Sequence, residues 1–466
     1  MINEIRQRWE NPPEKAKAKT RWWWYGCAVT RKEIIRQLEE MKRAGLGGVE
    51  IQILYPVVAD DKEKGIYNIP YFSPVFFEVL KETQKKTEEL HMTMDFTPGS
   101  SWPFGGPFIP KEYTPEEATV VQIDVYGPCT FSYDFTNRIN GKIEAIVMGR
   151  MEQGVMVSDS VVDLKEHLGE KLLYGWHWGE ILKEVEIPAG LHKIVAIVVE
   201  NYRQLLGIPS RDAGGYAMDH TRKEVTDFFF QNGVKPIVES LGAGKIHAFF
   251  CDSIELAGNN WSPILLQEFQ KRRGYDLSLW SYALWGEVGS VTEDIRYDYY
   301  RTMSELTIEN FFEEMTACCH SLGSKSRIQA HGTWADILKA YGSADIPEGE
   351  SFGAQDCYQV NSIHRRFAAS AAHIYGKRIV SNESFTWLRM PRFLETLENM
   401  KAAADAIFLD GINLIVNHGY AYAPQEEKGG WPFYASSNLN DHEYYWKFFG
   451  ELGKYLQRIS ALMQWG

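Results

Sequence analysis

Two short stretches, "CDSIE" at 251–255 and "SNESF" at 381–385, each follow an apolar run and each carry a glutamate. A carboxylate at the end of a buried strand is costly unless it is paired or used. Glycoside hydrolysis uses two of them. One stays protonated to donate to the leaving oxygen, and the other is ionised to activate water or to attack. Glu255 and Glu383 are therefore the candidate catalytic pair. Phe249, Phe250 and Trp261 are expected to desolvate Glu255 and so suit it to acid work near neutral pH. Asp95, Asp252, His331, Glu348, Glu350 and His418 end similar runs. Any one of them alone reads as a satisfied loop or capping group. Their recurrence at the same end of several strands reads as a site.

Such groups converge only if the strands that carry them share one end. From about residue 20 the chain alternates short apolar runs with helix-like segments. The runs are "RWWWYGCAV" (21–29), "VEIQIL" (49–54), "MTMDFTPG" (92–99), "IHAFFCDSIE" (246–255), "RIQAHG" (327–332), "SADIPEGE" (343–350), "RIVSNESF" (378–385) and "INLIVNHGY" (412–420). Between the first three lie helices with legible starts: Thr30 caps "RKEIIRQLEEMKR", and Ser73 precedes a proline at the first helical position. Residues 115–205 break this rhythm with short alternating segments punctuated by Gly and Pro, which predicts a β-rich insertion built as a small sandwich. The expected fold is α/β, a (β/α)8 barrel with that insertion after strand 3. Residues 1–114 supply strands 1–3 and residues 206–466 supply strands 4–8. In such barrels the active site lies at the C-terminal ends of the strands. Glu255 then closes strand 4 and Glu383 strand 7, across one barrel mouth.

Composition narrows the partner. The formal charge of −13 argues against nucleic acid, which requires a basic face. Aromatic residues make up 14% of the chain, and clusters such as "RWWWYG" (21–26), "YGWHWG" (174–179) and "GGWPFY" (429–434) exceed what a core needs. Exposed rings stack on the apolar faces of sugars, so a small carbohydrate is the favoured ligand. The six cysteines show neither a C-x-x-C pair nor zinc spacing, and free thiols in a reducing compartment account for them. "INEIRQRWENPPEK" after Met1 has no apolar core, and no run reaches transmembrane length. A cytoplasmic protein without membrane or organic-cofactor partners is expected.

Six ordered blocks then resemble one family: "RWWWYGCAVTRKEIIRQLEEMKRAGLGGVEI", "PGSSWPFGGP", "CDSIELAGNNWSPILLQEFQKRRGYDL", "AHGTWADILKAYGSADIPEGESF", "SNESFTW" and "DGINLIVNHGYAYAP…GWPF". The chain resembles glycoside hydrolase family 106, the α-L-rhamnosidases. The resemblance implies Glu255 as general acid, Glu383 as general base, inversion of configuration and a calcium ion near the bound sugar. Calcium takes several hard oxygen ligands. "ADIPEGES" supplies Asp345, Glu348 and Glu350, so the metal is expected near Glu348 and Glu350; the alternative is a loop whose carboxylates cap the next helix. His331 and His418 lack metal-binding spacing and are expected, with Asp95 and Asp252, to hold sugar hydroxyls. Trp102, Trp261, Trp387 and Trp431 are candidate stacking walls, with plain packing as the alternative. Two rival functions stay open, a retaining β-galactosidase-like enzyme and a non-catalytic sugar-binding barrel.

Overall fold

Eight parallel strands close into a barrel in the computed structural model, which describes residues 2–136, 138–173, 177–353, 363–388, 390–434 and 437–465. They are β1 (Lys19–Tyr25), β2 (Gly48–Leu54), β3 (Thr93–Phe96), β4 (Ala248–Cys251), β5 (Lys325–Ile328), β6 (Ile346–Gly353), β7 (Ser381–Trp387) and β8 (Leu414–Ala421). Neighbours in sequence are neighbours in the barrel, and β8 pairs with β1 to close it. Each predicted apolar run overlaps one of these strands. The predicted helix starts are also present: the Thr30 hydroxyl accepts from the Glu33 amide and the Ser73 hydroxyl from the Phe76 amide.

The strands alternate in two senses at once. Along β1, Trp22 and Trp24 face outward, and the Trp22 indole donates to Gln37 of helix Arg31–Arg43 at 3.1 Å. Lys19, Arg21 and Trp23 face inward. The usual barrel interior is filled by branched apolar side chains. Here it is charged: Lys19 lies 2.8 Å from Asp95, and Arg327 is ion-paired with Glu50, Asp95 and Glu348. The apolar faces of the strands point instead at the surrounding helices, and the main core lies in that shell.

The insertion is one hydrogen-bonded six-stranded antiparallel sheet. The 25-residue strand His177–Asn201 runs its length, pairing with Glu116–Asp134 on one edge and with Lys142–Glu152 and Leu168–Leu173 on the other. One face packs on Leu265, Phe269, Leu277 and Tyr299 from the segment after β4. The other face carries a separate core of Ile146, Leu182, Ile194 and Val198. The "YGWHWG" cluster lies partly, and Cys357 wholly, outside the described residues. Among the described residues no helix is long and apolar enough to cross a membrane.

Candidate active site

The C-terminal mouth of the barrel holds a cleft lined by Arg21, Trp23, Trp102, Asp252, Glu255, Glu350, Glu383, His418, Phe433 and Tyr434, among others. Arg21 is its electrostatic centre. Its guanidinium lies 2.9 Å from Glu383, 3.2 Å from Asp252, 3.5 Å from Glu50 and 3.9 Å from Glu348. The guanidinium also sits 4.4 Å from the Phe250 ring centroid, which closes the space beneath it.

Glu383 is buried at the floor of the cleft. It accepts from the Thr386 hydroxyl at 2.6 Å and from the Gln329 amide at 2.7 Å. Burial works against its ionisation, but the Arg21 charge and these donors outweigh burial and hold its pKa at about 2. His418 Nε2 lies 3.5 Å away; burial lowers that imidazole to about 4, so it is neutral at pH 7. A carboxylate ionised at all working pH, with its donors already fixed, can accept a proton from water or attack directly.

Glu350 and Asp252 behave oppositely. Glu350 is the register partner of Glu383 on the adjacent strand. Burial and the charge of Glu383 push Glu350 up to about 8. Burial pushes Asp252 up to about 7, against the pull of Arg21 and with the help of Glu383 and Glu350. The reason is stoichiometric. Three cations in the barrel interior, Lys19, Arg21 and Arg327, face six carboxyls, Glu50, Asp95, Asp252, Glu348, Glu350 and Glu383. The surplus carboxyls lie where the cleft opens, and there they hold their protons to higher pH.

Glu255 stands at the rim. Its carboxylate accepts from the Trp102 indole at 2.9 Å and the Ser253 hydroxyl at 3.2 Å. The expected enclosure by Phe249, Phe250 and Trp261 is absent, because Glu255 is exposed and Trp261 is buried under the insertion sheet. Backbone position instead brings Glu255 over the cleft.

Of the four candidate tryptophans, only Trp102 lines the cleft. Trp261 packs in the insertion core, while Trp387 packs against Phe385 and Trp431 against Tyr422 in the main core. All three pack in a core, and none of them lines the cleft. The cleft's aromatic wall comes from neighbours of those residues: Trp23 stacks on Phe433, with centroids 4.0 Å apart, and Tyr434 continues it. Asp95 is a correction of the same kind. It lies fully buried below the cleft between Lys19, Arg327 and His247, where it neutralises charge and cannot reach a ligand. His331 is held between the Tyr341 hydroxyl (2.9 Å) and Glu350 (2.8 Å), so it orients Glu350 rather than lining the cleft.

The metal expectation at Glu348 and Glu350 divides. Glu348 is buried, 2.8 Å from Arg327 and accepting from Ser381 at 2.6 Å, so its oxygens are committed. Asp345 caps the outer end of the strand, paired with His320 and Ser326. Neither fits a calcium ion. Glu350 and Asp252 are the hard oxygen donors of this group that face the cleft, and each would give up its proton to bind a cation.

Arg21, Gln329 and Thr386 are the site residues that motif reading passed over. For Arg21 and Gln329 the available signal was a charged or amide side chain within an otherwise apolar run.

Comparison with known proteins adds the family. A family model described as alpha-L-rhamnosidase, Glyco_hydro_106, matches residues 10–172 and 188–466. A solved rhamnosidase from Novosphingobium sp. PP1Y superposes with a TM-score of 0.78 at 17% identity, over 99% of this chain and 61% of that one. A protein of Formosa agariphila, provisionally described as a beta-glucuronidase, is 22% identical over 515 residues, covering 100% of this chain and 42% of that protein. The chain thus spans less than two thirds of either relative.

Proposed function

Because the chain belongs to the glycoside hydrolase 106 family, we propose that it removes terminal α-L-rhamnosyl residues from glycosides or oligosaccharides with inversion. Glu383 acts as base and Glu255 as acid. The observation that carries this reading is the asymmetry of the cleft's carboxyls: Glu383 is buried and ionised beside Arg21, while Glu255 waits at the solvent side. The floor carboxylate draws a proton from the attacking water. The rim carboxyl meets the departing oxygen on the side where the leaving group must exit. A glucuronide would require a free cation for its own carboxylate, and Arg21, the guanidinium at the cleft's centre, is already engaged by Glu383 and Asp252. Hydrolysis rates on a panel of aryl α-L-rhamnosides, β-D-galactosides and β-D-glucuronides test the substrate class; turnover of only the last two would sink it.

The acid has one rival with its own observation. Glu350 lines the same cleft and, at about 8, holds a proton at neutral pH. Leaving-group dependence separates the two. Glu255→Gln is expected to slow glycosides of basic alcohols by about 10²–10⁴-fold and to spare those of acidic phenols, which leave unprotonated. The same pattern from Glu350→Gln instead would transfer the role.

Calcium is proposed at Glu350 and Asp252, where it would fix sugar hydroxyls and supply the positive charge the cleft lacks. At pH 7 binding there should release protons, since both carboxyls lie near or above neutrality. Calorimetry in buffers of different ionisation enthalpy measures that release. Chelator should suppress turnover, added calcium should restore it, and Glu350→Ala should respond to neither. Full activity in excess chelator would dismiss a required exchangeable ion.

A further inference from the structure

Outside the cleft, Trp334, Tyr300 and Tyr297 stand open to solvent, 51%, 47% and 65% exposed. Single exposed rings need no explanation. These are not single: the Trp334 and Tyr300 centroids lie 5.5 Å apart, with 31° between their planes. They line a groove of about 840 Å³ between helices Thr292–Thr307 and Ile337–Ser343. The cations on its rim are paired: Arg272 with Glu309 at 2.6 Å, Arg301 with Glu305 at 3.0 Å, and Lys339 with Asp336 at 3.8 Å. The groove therefore offers apolar ring faces beside hydrogen-bonding groups, without a spare positive charge to select an anion. That combination suits a neutral pyranose, which has an apolar face and an equator of hydroxyls.

Its position relates it to the reaction. The Trp334 indole donates to the Asn259 carbonyl at 3.1 Å, and the Ile254 amide donates to the His331 carbonyl at 3.0 Å. Between them Gly332 takes φ +87°, and a Cβ there would fall 2.1 Å from the Ile254 carbonyl oxygen. The loop after β5 is thus clamped onto the loop after β4, and Glu255 lies on the clamped stretch between Ile254 and Asn259. The shelf is thus joined through Asn259 to the loop that carries Glu255.

We infer that the Trp334–Tyr300 shelf binds a neutral oligosaccharide chain on the leaving-group side of the scissile bond. The inference rests on the glycosidase reading with Glu255 at the departing oxygen. It makes the preferred substrate a rhamnose-capped oligosaccharide of neutral sugars rather than a simple glycoside.

The test compares α-L-rhamnosyl-capped cellotriose and galactotriose with 4-nitrophenyl α-L-rhamnoside, using the full chain. In Trp334→Ala the ratio of kcat/KM for the better capped chain to that for the aryl glycoside should fall about tenfold, mostly through KM, which corresponds to about 1.4 kcal/mol. Tyr300→Ala should move the ratio the same way and serves if Trp334→Ala misfolds. A ratio unchanged in natively melting variants overturns the shelf. Binding of free cellotriose and galactotriose by calorimetry separates the shelf from the chemistry. Trp334-dependent binding by a protein that hydrolyses no rhamnoside would keep the saccharide site and discard the catalytic reading. Hydrolysis with no Trp334 effect on either trisaccharide would do the reverse. A dimer that Trp334→Ala dissociates would also overturn the inference, by making the shelf a contact between copies.

Discussion

Glu383→Gln should lower turnover of an aryl α-L-rhamnoside by about 10²–10⁴-fold with little change in KM. The amide keeps the shape and the Thr386 and Gln329 neighbours but cannot take a proton from water. A variant that keeps more than a tenth of the wild-type rate would remove Glu383 from the base role. Proton NMR of the first-formed sugar then fixes how the carboxylate works. β-L-rhamnose appearing first means water attacked with inversion, for which the two carboxyls stand about 6.5–9.5 Å apart. α-L-rhamnose appearing first means Glu383 is the nucleophile of a retaining enzyme, at about 5–5.5 Å. Either result leaves both glutamates catalytic.

Arg21→Met should be the most damaging single change outside the carboxyl pair. It strips the cation from Glu383 and Asp252 together, and breaking a buried pair from one side costs about 3–5 kcal/mol. The pH dependence identifies the cause. Arg21 depresses the folded-state pKa of Glu383, so the stability it contributes is fully present above the unfolded carboxyl value, about 4.3. That contribution is lost as pH falls through the folded value of about 2. The gap in melting temperature between Arg21→Met and wild type should therefore be widest near neutral pH and narrow steadily below about pH 4. A gap independent of pH would mean that Arg21 acts by packing on Phe250 instead. Arg21→Lys should recover part of the stability, because a single ammonium restores charge but cannot serve several carboxylates in one plane.

Much of this protein was legible in the residues because its local and global patterns agree. Eight apolar runs separated by capped helices leave few architectures, and each run became a barrel strand. The site was legible where chemistry and position coincide at a strand end: Asp252, Glu255, Glu350, Glu383 and His418 meet in one cleft. Neighbouring strands in parallel register bring such ends together without further instruction.

What only the tertiary structure decided is which side chain of each pattern faces in, and how deep. Glu348 and Glu350 are equivalent in sequence, two residues apart on one strand. Arg327 and Ser381 claim the lower one, and only the upper reaches the cleft. Trp431 and Phe433 are equally plausible walls by composition, yet the path of the loop after β8 packs the first on Tyr422 and turns the second onto Trp23 in the cleft. Arg21 sits unremarked among three tryptophans in the sequence, although it is the charge that holds Glu383 ionised. A carboxylate's acidity depends on the distance to its counter-charge, and that charge comes from a strand more than three hundred residues away. Residue types set the chemistry available; the closing of the barrel, which pairs β8 with β1, set which residue performs it.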